Sequence, residues 1–159
     1  MKWEEVCEHP ALHDLPFKIE LNEYGEIIMN AVKVIHSLYQ GEIEYLLRSL
    51  LKNGKTLPAC AIKTDKGAKV ADVAWASRER IKTIKNETEC SVAPEICVEV
   101  RSSSNTDEAM EEKRKLYFAS GAKEVWLCQD GAMSFYTIEG KVEKSILAPD
   151  FPGRIKVEV

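Results

Sequence analysis

Apolar residues in the first third of the chain fall into two patterns, one typical of strands and one typical of a helix. The segments 17–21 and 26–29 are rich in apolar residues and flank a polar turn that contains Gly25, which predicts a β-hairpin. From 32 to 52, apolar residues recur at intervals of three and four, and Asn53 and Gly54 follow as a stop signal. This second segment is predicted to be one long amphipathic helix.

The rest of the chain is predicted to form short strands around a second helix. Good N-capping residues at 104–106 and Gly121 at the far end predict a helix over 106–120. The dipeptide Asp130-Gly131 predicts a tight hairpin turn. The predicted strands are 59–63, 69–75, 95–101, 124–128, 133–137 and 142–147. The element order predicts an α/β (α+β) fold with a central sheet, an N-terminal hairpin and C-terminal β-strands.

Composition limits the class of protein. A length of 159 residues with 45% hydrophobic residues is enough for one core, so a single domain over 1–159 is expected. No run of about 18 apolar residues is present, so no membrane span is expected. Charges in the first six residues and five scattered cysteines without a Cys-x-x-Cys pair favour a reduced, cytoplasmic location.

Net charge restricts where nucleic acid could bind. The formal charge of -4 argues against a surface that is basic throughout, so any nucleic-acid contact must be local. The segment 78–85 has four cations in eight residues and is the best local candidate. The alternative is an ordinary solvated loop or helix face. The candidate nucleic-acid-binding residues are Arg78, Arg80, Lys82 and Lys85.

Three charged residues interrupt apolar segments and are therefore candidate functional residues. Asp72 lies inside the apolar strand 69–75, and Glu99 lies inside 95–101 with Arg101 two residues later on the same face. Lys113 lies in the middle of the apolar stripe of the helix 106–120. Two carboxylates and a nearby cation are what a magnesium site for phosphate-ester hydrolysis requires. The alternative is a buried ion pair of Asp72 or Glu99 with Lys113 or Arg101.

The order of several motifs resembles that of a known family. The motifs are Lys-Ile-Glu-Leu (18–21), Gly-Glu-Ile-Ile-Met (25–29), His36 near a helix start, Val-Ala-Asp-Val-Ala-Trp (70–75), Cys-Val-Glu-Val-Arg-Ser-Ser-Ser-Asn-Thr (97–106), Glu-Lys-x3-Tyr (112–117) and Gly-Ala-Lys-Glu-Val-Trp-Leu (121–127). Together they resemble the Uma-type restriction endonuclease family of the PD-(D/E)XK nuclease superfamily. The resemblance implies a restriction-endonuclease-like mixed central β-sheet flanked by helices, with the site at the ends of the strands that contain the two carboxylates.

The same resemblance implies roles for individual residues. Asp72 and Glu99 match the metal-ligating acids of the family, and Lys113 matches the catalytic lysine that this branch has on the following helix. Arg101 stands where the superfamily usually has that lysine. Arg101 is therefore expected either to stabilise a pentavalent phosphorane or to neutralise Glu99 and leave the metal site inactive.

The resulting hypothesis is an Mg²⁺- or Mn²⁺-dependent endonuclease acting on nucleic acid, with DNA implied by the resemblance. Possible additional site residues are Glu44 and His36, although an exposed helix glutamate and a capping or packing histidine are ordinary alternatives. The rival functions are a catalytically silent binding domain with Glu99 and Arg101 paired, and a metal-dependent hydrolase of small phosphate esters. The resemblance also implies a homodimer, for which residues 133–159 offer strand edges and the apolar residues Phe135, Tyr136 and Phe151.

Overall fold

The computed structural model describes all 159 residues, and its largest element is a six-stranded mixed sheet. The strands follow the chain in order, and only the neighbours β5 and β6 are parallel. The strands are β3 (Gly54–Thr64), β4 (Gly67–Ser77), β5 (Ile96–Val100), β6 (Glu124–Gln129), β7 (Ala132–Thr137) and β8 (Gly140–Val142). The predicted mixed sheet is confirmed.

Four helices and a separate hairpin surround this sheet. The helices are α1 (Trp3–Glu8), α2 (Val34–Leu50), α3 (Arg78–Ile84) and α4 (Asp107–Ala119). The strands β1 (Phe17–Leu21) and β2 (Ile27–Ala31) pair with each other as a second sheet, in agreement with the predicted hairpin. None of the helices combines the length and the apolar character that crossing a bilayer requires.

The two faces of the main sheet are covered by different helices. On one face, Ile43 and Leu47 of α2 pack against a cluster that contains Val98 and Trp126. On the other face, Tyr117 of α4 packs in a second cluster, together with α3 and with the residues of β4, β5 and β6 that point to this face. Because side chains alternate along a strand, Glu99 points to the α4 face between two residues that face α2.

Several predicted boundaries match the structure, and three segments differ. The two long helices begin and end within two residues of their predicted limits. The strand predicted at 59–63 is longer, because β3 tolerates Pro58 as an edge strand. Its pairing with β4 is interrupted only at Ala59, which has a φ of 52°, and resumes at Cys60 in the same register. The basic segment 78–85 forms the short helix α3 and its C-cap, and the N-cap of this helix is Ser77, whose side chain accepts a hydrogen bond from the Arg80 amide.

The predicted strand 142–147 is wrong beyond Val142, where β8 ends. The physical reason is a buried carboxylate. Ser145 Oγ and the Leu147 amide both donate to Glu124, at 2.7 Å each, so the chain turns inward to satisfy this side chain instead of continuing beside β7. The chain from 143 to the C-terminus contains no further strand, only an isolated bridge between Ala132 and Arg154.

The apolar residues predicted to form a dimer interface lie in the core. Phe135 and Phe151 are 2% and 4% exposed and pack on Trp126, with ring centroids 5.0 and 4.6 Å away. Tyr136 lies under the Arg114 guanidinium at 4.1 Å. The assignment of Phe135 and Phe151 to an interface is therefore wrong, because both rings are already buried. The homodimer itself stays a prediction that light scattering at micromolar concentration can test.

Candidate functional site

The three charged residues singled out from the sequence meet in the structure. Asp72 in β4 and Glu99 in β5 come from neighbouring strands, and Lys113 in α4 lies over the same face. All three belong to one network of ion pairs, and Asp72 and Glu99 are only 3% and 2% exposed. The network also includes Lys18 and Glu20 from the hairpin.

Asp72 is held in place by groups from three elements. Its Oδ2 atom accepts a hydrogen bond from the Val100 amide at 2.7 Å and lies 3.3 Å from His36 Nε2. Its backbone carbonyl accepts from the Gln40 side chain at 2.8 Å. His36 was predicted as a possible additional residue, and the structure places it in the cluster. These contacts fix one carboxylate oxygen and leave Oδ1 directed toward Lys18.

Glu99 is oriented in the same manner. Its Oε2 atom accepts from the Tyr117 hydroxyl at 2.8 Å, one helical turn after Lys113. Its Oε1 atom is 3.1 Å from Lys113 Nζ and also 3.1 Å from Lys18 Nζ. Each of the two acids therefore has one oxygen bound by an uncharged donor and the other oxygen bound by lysine.

A third carboxylate lies beside this pair and was missed in the sequence. Glu20 Oε2 accepts from the Val70 amide at 2.7 Å and from Lys113 Nζ at 2.6 Å. Lys18 was missed as well, although it lies only two residues away on the same face of β1. Both residues alternate with Phe17, Ile19 and Leu21, so the sequence pattern looks like the ordinary polar face of a hairpin.

The ion pairs shift the pKa values of the cluster. Burial alone would raise the pKa of Asp72, but its bonds to His36 and the Lys18 charge lower it to about 2. The pKa of Glu20 is also lowered despite burial, chiefly by Lys113 and then by Lys18. The hydrogen bond to Asp72 raises the pKa of His36, and burial together with Glu99 raises that of Tyr117. Asp72 and Glu20 are therefore ionised and Tyr117 is neutral near pH 7.

Two candidates from the sequence lie outside the cluster. Arg101 does not contact Glu99; its guanidinium pairs with Asp107 and donates to the Asn105 carbonyl at 3.1 Å. The proposed neutralisation of Glu99 by Arg101 is therefore wrong, because the start of α4 provides acceptors for Arg101 instead. Glu44 accepts from Thr56 at 2.7 Å and pairs with Arg48, so its carboxylate also has other partners.

The basic helix α3 lies at the opposite end of β4 from the hairpin and does not line the cleft described below. Arg80 donates to the carbonyls of Ala93 and Gly121 at 2.6 and 3.1 Å, so this guanidinium has a structural role. The other three cations of the segment, Arg78, Lys82 and Lys85, are exposed. Their contact with nucleic acid stays a prediction.

A cleft of about 450 Å³ opens over the charged cluster. Lys18, Glu20, Glu99 and Lys113 line it together with His36. Its rim includes residues of the hairpin and the polar loop that precedes α4. The two carboxylate ligands predicted from the sequence therefore lie at or directly behind the surface of a cleft that a substrate could enter.

The donors present fit a hard divalent cation. Asp72 Oδ1 and Glu99 Oε1 converge on a single positive group, the Lys18 ammonium, at 3.1 Å from each oxygen. No set of three or more His, Cys, Asp or Glu side chains is arranged to hold an ion by itself. Mg²⁺ is commonly bound by only one or two carboxylates, with waters and substrate phosphates as the remaining ligands. The pair Asp72 and Glu99 suits that mode of binding.

Comparison with known proteins identifies a family and a similar solved structure. The family model Uma2, described as "Putative restriction endonuclease", matches residues 3–150. The crystal structure of a "putative nuclease belonging to DUF820" from Anabaena variabilis has the same fold, with a TM-score of 0.75 and 16% sequence identity over 99% of this chain and 95% of that one. No curated protein matches the sequence.

Proposed function

This chain belongs to the Uma2 family, described as "putative restriction endonuclease", and we propose that it is a divalent-metal-dependent endonuclease that hydrolyses phosphodiester bonds, with DNA as the substrate. The observation that supports this proposal is the convergence of Asp72 Oδ1 and Glu99 Oε1 on one cation position beneath an open cleft. A bound Mg²⁺ or Mn²⁺ would supply charge that stabilises the phosphate and activates water.

The protein groups around the cation position orient the two acids. The Val100 amide and the Tyr117 hydroxyl each bind the oxygen that faces away from Lys18, so the carboxylates cannot rotate freely. Such contacts from outside the ligand set commonly affect metal affinity and activity by about 10- to 100-fold. The Tyr117 hydroxyl and the Val100 amide are therefore positioning groups in this proposal.

Lys113 is the residue proposed to act on the reacting phosphate. Its ammonium lies in the cleft and lies 3.1 Å from Glu99 Oε1 and 2.6 Å from Glu20 Oε2. The two acids on either side fix the position of this group before substrate enters. From there it can orient a water molecule or neutralise charge that develops on the phosphate during hydrolysis.

The arrangement argues against a silent binding domain in which Glu99 is locked to Arg101. That ion pair does not form, and the cations that contact Glu99 both line the cleft. A hydrolase of small phosphate esters is the remaining alternative. The cleavage experiment described next distinguishes this alternative from an endonuclease, because such an enzyme would release phosphate from small esters and leave long DNA intact.

The proposal is tested by incubating supercoiled plasmid with the protein and Mg²⁺ or Mn²⁺. We expect conversion to nicked and linear forms, complete inhibition by chelator, and no conversion by Asp72→Ala. Single-stranded DNA, RNA and a small phosphate ester run in parallel identify the substrate. Asp150→Asn, which neutralises an exposed acid that does not line the cleft, serves as the matched control and is expected to cleave normally.

Two results would overturn the proposal. Cleavage that persists in chelator, or that Asp72→Ala retains, would mean that the activity does not come from this site. A folded protein that cleaves none of these substrates with either ion would favour the non-catalytic alternative.

A further inference from the structure

The Lys18 ammonium occupies the position where the two proposed metal ligands meet. Its Nζ atom is equidistant from Asp72 Oδ1 and Glu99 Oε1, at 3.1 Å, and the side chain is only 15% exposed. We propose that Lys18 is an internal competitor of the divalent cation, which must leave this position before Asp72 and Glu99 can share an ion. The inference rests on the metal site of the proposed function and adds a residue that controls its loading.

The geometry makes the two cations mutually exclusive. An ion bound by both oxygens at ligand distances of roughly 2.0 to 2.3 Å would lie almost where Lys18 Nζ now is. Two positive charges in that space would also repel strongly at low effective dielectric. The other oxygens of the two acids are held by Val100 and Tyr117, so they offer no second place for the ion between the strands.

Lys113 is not an equivalent competitor. It contacts Glu99 Oε1, but its shorter bond, at 2.6 Å, is to Glu20 Oε2, and Asp72 is not among its partners. Lys113 can therefore keep its contact with Glu20 when an ion arrives. Lys18 has no such second partner, since Glu20 Oε2 is 4.0 Å from it and is already bound by Lys113.

Lys18 also has a route out of the site. Its side chain lines the cleft, and it comes from the hairpin, whose two strands form a sheet of their own. A lysine carries its charge on a flexible four-carbon stem, so rotation of that stem can move the ammonium toward the cleft opening without moving β1. Metal binding and the binding of the Lys18 ammonium to the two acids then oppose each other, and each promotes the release of the other cation.

The test measures Mn²⁺ binding to the full chain without substrate, by the loss of the free-ion paramagnetic resonance signal and by calorimetry. Lys18→Met removes the charge and keeps the length of the stem. We expect its dissociation constant for Mn²⁺ to fall by at least about tenfold relative to the unchanged protein. Lys33→Met removes an exposed lysine that hydrogen-bonds Ser103 and is expected to change the constant by less than about twofold, because it leaves the cation position filled.

A second readout uses the unchanged protein and so does not depend on the folding of a variant. An amine-acylating reagent followed by mass spectrometry reports how accessible each lysine is. Mn²⁺ is expected to increase the labelling of Lys18 several-fold. Lys144, which is exposed and does not line the cleft, provides an internal reference whose labelling should not change.

The outcomes separate this inference from the proposed function. Equal Mn²⁺ affinity in Lys18→Met and the unchanged protein, with Lys18 labelling unaffected by Mn²⁺, would reject the competition and leave the metal site standing. Absence of Mn²⁺ binding in both proteins would reject the metal site and the competition together. Tighter binding in Lys18→Met that disappears when Asp72→Asn is added would support both.

Discussion

Glu99 and Glu124 are two glutamates of neighbouring parallel strands that are equally hidden from water, 2% and 1% exposed, but their oxygens are satisfied differently. Glu124 accepts from Trp126 Nε1 at 3.0 Å, from Ser145 Oγ at 2.7 Å and from the Leu147 amide at 2.7 Å. All three donors are uncharged. The bonds from Ser145 and Leu147 hold the C-terminal segment against the sheet, so this carboxylate has a structural role.

Glu99 has one such donor, Tyr117, and its other oxygen faces two lysines that line a cleft. A lysine ammonium can be exchanged for another cation, whereas a backbone amide or an indole N–H cannot. Burial of an acid in an apolar strand is therefore not enough to identify a functional site. The informative difference is whether the partner of the buried acid is a fixed neutral donor or a movable charge next to a cleft.

The largest effect that tests this comparison is on activity. Glu99→Gln is expected to lower metal-dependent nicking of plasmid by at least about a hundredfold, because it removes one of two charges that hold the cation. Glu124→Gln makes the same chemical change one strand away and should retain the rate per folded molecule. Comparable losses in both variants, after correction for the folded fraction, would show that the two glutamates do not differ in function.

The second prediction concerns stability, for which Glu124 is expected to matter more than Glu99. Glu124→Ala leaves three donors without their acceptor, two of them buried, so we expect the free energy of unfolding in urea to fall by about 3 kcal/mol or more. Ser145→Ala removes one of these bonds and the acceptor of the Ala148 amide at 2.8 Å, so it should cost about 1 to 2 kcal/mol. A loss below about 1 kcal/mol for Glu124→Ala would mean that the segment from 143 to 159 is held by its apolar contacts instead.

The third prediction uses the pH dependence of stability. The pKa of Asp72 is lowered from 3.8 to about 2 in the folded protein. A lowered folded-state pKa contributes stability that is present above about pH 4 and is lost as the pH falls toward 2. The contribution is on the order of 2 kcal/mol. Asp72→Asn should therefore show a shallower loss of stability between pH 4 and 2 than the unchanged protein, as measured by urea denaturation at each pH.

The comparison with Asp72→Asn is necessary because other groups titrate in the same range. The pKa of Glu20 is also lowered, so the unchanged protein loses stability there from more than one acid. The difference between the two curves isolates Asp72. Parallel curves from pH 4 to 2 would mean that the charge of Asp72 is not stabilised by Lys18 and His36 in solution.

Much of the fold could be predicted from the sequence because periodicity and capping residues are local signals. The helix over 106–120 follows from its N-caps and Gly121, and the structure places it at Asp107–Ala119. The strand 142–147 could not be excluded from local pattern, because the interaction that redirects the chain is with Glu124, more than twenty residues away. Glu124 itself gave no signal, since it lies at the first position of its strand.

The site was predictable where a charge contradicts its surroundings and was not predictable elsewhere. Asp72, Glu99 and Lys113 interrupt apolar patterns, and the structure brings all three together. Lys18 and Glu20 fit the alternation of a hairpin, so nothing local shows that the polar face of this hairpin covers the acids. The alternative that pairs Arg101 with Glu99 is wrong because strand alternation ends at Val100, after which the loop before α4 sets the direction of the Arg101 side chain.

The smallest expected effect concerns the cations of the segment 78–85, which also differ in whether fixed neutral groups bind them. Arg80 is bound by two carbonyls, as Glu124 is bound by neutral donors, whereas Lys82 and Lys85 are exposed. If the exposed pair contacts the substrate backbone, Lys82→Gln with Lys85→Gln should reduce the slope of log affinity for DNA against log salt concentration by about 2, without loss of stability. Arg80→Gln should leave that slope unchanged and lower the free energy of unfolding by about 1 to 2 kcal/mol, because two partly buried carbonyls lose their donor. Fluorescence anisotropy with labelled duplex DNA in chelator measures the slope without cleavage. An unchanged slope in the double lysine variant would remove α3 from the binding surface and leave DNA to be held by the cleft alone.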